Sequence, residues 1–91
     1  MTSTRVLVRG RVQGVGYRWF TRNAADAHHV SGWVRNRRDG TVEAELHGAA
    51  EDVDAVLAEL RRGPEHARVE TLEITAVADA AVVGFEFRPT I

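Results

Sequence analysis

The stretch Val8-Arg9-Gly10-Arg11-Val12-Gln13-Gly14-Val15-Gly16-Tyr17-Arg18-Trp19-Phe20 changes its periodicity halfway along, and that change decides the fold. Before it, Val6, Val8 and Val12 share one parity while Arg5, Arg9 and Arg11 take the other, the alternation of a strand with one buried face. After it, from Tyr17 to about Ala27, the apolar positions Tyr17, Phe20, Ala24 and Ala27 fall on one helical stripe. Between them lie three glycines in seven residues, Gly10, Gly14 and Gly16. A glycine-rich turn lets the main chain approach a ligand and aim several N–H groups at one point, which is how backbone nests hold anions. Free N–H groups at a helix start favour an anion too, and Arg18, at or just inside that start, can add a bidentate fork. On spacing alone, a tight strand-to-helix turn followed by a solvated arginine accounts for the same residues, so both readings stay open at this point.

Working outward, "VSGWVRN" and "TVEAELH" read as two strands joined by "RRDG", since Asp-Gly between β-rich runs is a strong hairpin signal. Val42, Ala44 and Leu46 alternate with Glu43, Glu45 and His47, so this strand is expected to have one core face and one wet face. "AAEDVDAVLAELRRGP" reads as a second helix with Val53, Val56, Leu57 and Leu60 on one stripe, acids early, arginines late and Gly63-Pro64 as the stop. In "ARVETLEITAV" the apolar parity slips between Val69 and Leu72, which predicts a bulge or an irregular entry. "GFEFRP" adds a short last strand with Phe85 and Phe87 on one face. The order strand, helix, strand, strand, helix, strand, short strand predicts an α+β fold. It is the ferredoxin-like split βαβ sandwich, an antiparallel sheet with two helices on one face plus a short C-terminal strand.

Ninety-one residues predict one domain over 1–91, with no linker or internal repeat. With no cysteine, disulfides, thiol nucleophiles and thiolate metal sites are excluded. Twelve basic against thirteen acidic residues leave a formal charge of −1, which offers no global field for nucleic acid or a lipid surface. The N-terminus carries no long apolar run, so neither a signal peptide nor a membrane span is expected there. The expectation is a cytoplasmic monomer.

The second informative stretch is "GWVRNRRDGTVE", Gly32 to Glu43. With it the chain resembles the acylphosphatase family. One family signature, G-x-V-Q-G-V-x-x-R, matches as Gly10, Val12, Gln13, Gly14, Val15 and Arg18. The other, G-x-V-x-N-x-x-D-G-x-V, matches as Gly32, Val34, Asn36, Asp39, Gly40 and Val42. Gly48 before the second helix and Gly63-Pro64 after it also sit where the family has them.

The resemblance implies hydrolysis of small-molecule acyl phosphates to a carboxylate and inorganic phosphate. It assigns phosphate binding to Arg18 with the turn formed by Gln13, Gly14, Val15 and Gly16, and positioning of the attacking water to Asn36. Such a kit suits the reaction, because a carboxylate leaves readily and positioning plus charge stabilisation can carry the rest. No metal and no cofactor is expected. The family's closing aromatic is missing here, where Arg88 is followed by Pro89-Thr90-Ile91. The alternative from another class is a non-catalytic anion-binding or regulatory module of the same fold.

The remaining features have plainer readings. Adjacent His28 and His29 diverge at a helix end and do not form a ligand set. Trp19 and Trp33 are expected to pack or to cover a sheet edge rather than stack on bases, and the paired aromatics of an RNA-binding sheet are missing. Arg35, Arg37 and Arg38 read as a solvated hairpin rim, and Asp39 as a turn former.

Overall fold

The computed structural model describes residues 1–80 and 82–91. Its elements are β1 (Thr2–Arg11), α1 (Tyr17–Ala27), β2 (Ser31–Asn36), β3 (Val42–Gly48), α2 (Ala50–Arg62), β4 (Arg68–Ala76) and β5 (Phe85–Phe87). They form one five-stranded sheet in the order β4-β1-β3-β2-β5. The first four strands pair antiparallel, whereas β5 joins β2 in parallel, placing Phe85, Glu86 and Phe87 beside Gly32, Trp33 and Val34. Val6, Val8, Val34, Val42, Ala44 and Leu46 form the sheet's contribution to the core, and Tyr17, Ala24, Ala25, Val53, Val56, Leu57 and Leu60 that of the two helices.

Helix α2 follows its sequence signals closely: Val53, Val56, Leu57 and Leu60 are buried, Glu51 and Asp52 stand in the first turn, Arg61 and Arg62 in the last, and Gly63 caps it. The parity slip in β4 is a bulge. Arg9 faces Thr71 but Gly10 faces Val69, so Glu70 is the extra residue. Helix α1 departs from the expected stripe. Its buried residues are Tyr17, Thr21, Ala24 and Ala25, with Phe20 only partly covered and Ala27 exposed. Thr21 can lie inside because its hydroxyl donates to the Tyr17 carbonyl at 2.9 Å, leaving no polar atom unpaired.

The wet face expected of β3 is also corrected. Glu43 and His47 are as buried as the core, at 2% and 1% exposure. Because β3 is the central strand, side chains of β1 and β2 flank its outer face on both sides. Arg35 donates from Nε to Glu43 at 2.7 Å, Arg5 and Arg37 reach the same carboxylate at 3.7 and 4.0 Å, and arginine stems cover what lies beneath. His47 lies between Ser3 (Nδ1 to Oγ, 2.8 Å) and Glu45 (Nε2 to Oε1, 2.9 Å). Trp33 is buried there too, with the Arg35 and Arg88 guanidinium carbons each 4.7 Å from its ring centroid.

Candidate active site

The site begins where β1 stops. Gly14 and Gly16 take φ of 72° and 78°, a left-handed conformation that a side chain resists, while Val15 between them is not left-handed and packs against the core. That alternation turns successive N–H groups toward one side. Gly16 is also the N-cap of α1, and no side chain caps the helix. The first helical N–H to find an intrahelical acceptor is that of Phe20, which donates to the Gly16 carbonyl at 3.0 Å. The preceding N–H groups have no partner within the helix and carry the positive end of its dipole.

Tyr17 fixes the direction of this helix start. Its ring is buried and its hydroxyl donates to the Leu60 carbonyl at 2.7 Å, tying the start of α1 to the end of α2. Burial raises its pKa, so the hydroxyl stays neutral and is spent on this structural bond. With Tyr17 turned inward, Arg18 and Trp19 are exposed, and both line a cavity of about 200 Å³ together with Gly14, Gly16 and Asn36. At roughly 30 Å³ per water, that space admits a phosphoryl group and an attacking water. Arg18 makes no ion pair among the described residues, in contrast to Arg5, Arg9, Arg35, Arg37 and Arg88.

Asn36 is the last residue of β2 and lines the same cavity. Its side-chain Oδ1 is buried and receives no hydrogen bond from any described residue. A buried acceptor with no protein donor costs stability, so in a native fold it calls for an explanation. Its main chain, by contrast, is well held, because the Ile91 N–H donates to the Asn36 carbonyl at 3.3 Å and the Arg38 N–H to Ile91 oxygen at 2.6 Å. The C-terminal residues therefore run on along β2 past Arg88, whose N–H donates to the Val34 carbonyl at 2.9 Å. Within the altered ending Pro89-Thr90-Ile91, Ile91 holds the backbone at Asn36 and Arg38.

Gln13 plays a part that its position in the motif does not reveal. Its side-chain Nε2 donates to the carbonyls of Arg37 and Thr41, at 2.7 and 2.9 Å, and so pins the glycine turn to the β2–β3 hairpin. Asp39 is the turn former expected, its Oδ1 accepting from the Thr41 amide at 3.0 Å and the Thr41 hydroxyl at 2.6 Å. That hydroxyl, then that amide, holds the Asp39 carboxyl below its ordinary pKa.

Other candidates are already engaged. Arg35 and Arg37 are bound to Glu43 rather than merely solvated, and Arg38 is exposed. The depression against Arg5, Arg37, Glu43 and Glu73 is charge-matched, since Glu43 meets both of those arginines and Glu73 meets Arg9. His28 Nε2 lies 2.7 Å from Glu59 and links the helices, while His29 is exposed at the turn that follows. Among the described residues no helix is long and apolar enough to cross a membrane.

Comparison with known proteins converges on one family. The family model Acylphosphatase matches residues 4–87. Acylphosphatases from Cupriavidus necator and Rhodospirillum rubrum are 47% and 45% identical to the chain; the first match covers 96% of this chain and 94% of the relative, the second all of both. The crystal structure of acylphosphatase from Bacillus subtilis superposes with a TM-score of 0.93 at 31% identity, covering 97% of this chain and 99% of that one.

Proposed function

The chain belongs to the acylphosphatase family and hydrolyses acyl phosphates at the carboxyl–phosphate bond, and we propose that Arg18 and the 13–16 turn hold the phosphoryl group while Asn36 positions the attacking water. The observation that carries this assignment is that Asn36, whose Oδ1 has no donor among the described residues, and the exposed Arg18, which joins no ion pair among them, line one cavity. An amide side chain can accept a hydrogen from water and leave a water lone pair facing phosphorus, and it never titrates. The water oxygen bonds to phosphorus as the bond to the acyl oxygen breaks. The carboxylate departs with the electron pair, and the water's proton passes to solvent or the product phosphate. The guanidinium and the turn N–H groups follow the equatorial oxygens as their charge redistributes. The protein acts as a single-domain cytoplasmic monomer and uses no metal, because Arg18 and the backbone dipoles supply the positive field.

Inorganic phosphate presents the same oxygens as the substrate and should inhibit competitively, raising the apparent KM and leaving the maximal rate alone. Steady-state kinetics at several phosphate concentrations checks this, with EDTA in a parallel series expected to change nothing. If phosphate lowers only the maximal rate, the cradle is misplaced. Activity that EDTA removes and only a metal restores would overturn the metal-free mechanism.

A further inference from the structure

The cavity has a second wall that the phosphate cradle leaves unused. Trp19 lines it and remains 57% exposed, although it is one of the largest apolar side chains in the molecule. Its ring is nevertheless held in place. Phe87 of β5 meets it edge-on with centroids 5.1 Å apart and planes at 65°, and the Arg22 guanidinium carbon lies 4.5 Å from the Trp19 centroid and 5.2 Å from that of Phe87. A tryptophan so braced offers a rigid apolar surface, and covering it with another apolar group gains free energy without ordering the side chain first. Arg18 and Trp19 both line this cavity, so the cation and the apolar surface border one opening.

With the phosphoryl group on Arg18 and the 13–16 turn, the acyl group has to leave the cradle toward this opening. We propose that Trp19, steadied by Phe87 and Arg22, is the acyl-group subsite, and that it favours acyl phosphates with an aromatic acyl group over those with a small one such as acetyl. The subsite rests on the phosphate assignment given above. An aromatic acyl group can stack on or meet the indole edge-on, whereas a methyl group covers little of it.

The test compares kcat/KM for benzoyl phosphate and acetyl phosphate in the parent, Trp19→Phe and Trp19→Ala proteins. The parent is expected to prefer benzoyl phosphate. That preference should fall by on the order of tenfold in Trp19→Ala and be largely kept in Trp19→Phe, the scale of losing one aromatic contact. Phenylphosphonate and methylphosphonate, used as competitive inhibitors, read the same preference without chemistry, and phenylphosphonate should lose its advantage in Trp19→Ala. Inhibition by inorganic phosphate separates the two assignments. If phosphate competes normally and a folded Trp19→Ala protein keeps the parent preference, the subsite is wrong and Trp19 only covers the edge of β5. A parent that phosphate does not inhibit competitively overturns the cradle, and the subsite falls with it.

Discussion

Arg18→Lys should lower kcat/KM for acyl phosphates by on the order of 10²-fold, about 2.7 kcal/mol of transition-state binding, with KM raised and kcat depressed together. The substitution keeps the charge and removes the geometry. A guanidinium meets two phosphate oxygens with a planar fork, whereas an ammonium is a compact, strongly hydrated point charge. Arg18 is exposed and joins no ion pair among the described residues, so the fold should be indifferent to the change, within about 0.5 kcal/mol. Circular dichroism and the thermal midpoint check that control. A folded lysine variant as active as the parent would make Arg18 a surface residue of the helix start.

Asn36→Ala should separate binding from chemistry. With Oδ1 gone, kcat is expected to fall by about 10² or more, the scale of removing one well-placed polar group, while the inhibition constant of inorganic phosphate stays near the parent value. Stability should move the other way or not at all. The bond from the Ile91 N–H and the pairing with Val42 use the main chain of Asn36 and survive the substitution. The atom removed is a buried acceptor with no protein donor, whose loss relieves a cost. An Ala variant that melts earlier but turns over normally would assign Asn36 to holding the end of β2.

The parts of the fold that were legible in the sequence are those set by local chemistry. Helix α2 was legible because its apolar stripe, charge gradient and Gly63 stop agree, and the bulge at Glu70 because a parity slip leaves few other arrangements. Alternation in β3 correctly placed Val42, Ala44 and Leu46 inward. It could not say what covers the opposite side, which depends on arginines from β1 and from the hairpin. The stripe of α1 was misread at Thr21, whose hydroxyl is satisfied by its own helix in a way that an apolar count ignores. The parallel direction of β5 has no local signature, because it depends on where the chain returns after β4.

The candidate site was legible in part for a similar reason. Gly14, Gly16, Arg18 and Asn36 stand in two stretches separated by the rest of helix α1, and the fold brings them onto one cavity. The side chain of Gln13 and the backbone of Ile91 support that cavity through contacts far apart in sequence, with the hairpin and with Asn36. The motif names Gln13 but not its contacts, and it does not reach Ile91.

The direction of attack tests the central claim most directly. If Asn36 holds the water against a phosphoryl group gripped by Arg18 and the glycine turn, the new bond forms at phosphorus. Hydrolysis of benzoyl phosphate in oxygen-18 water, corrected for the uncatalysed reaction and followed by mass spectrometry of both products, should place the label in inorganic phosphate and leave benzoate unlabelled. Label in benzoate would mean attack at the acyl carbon and would contradict the roles given to both residues.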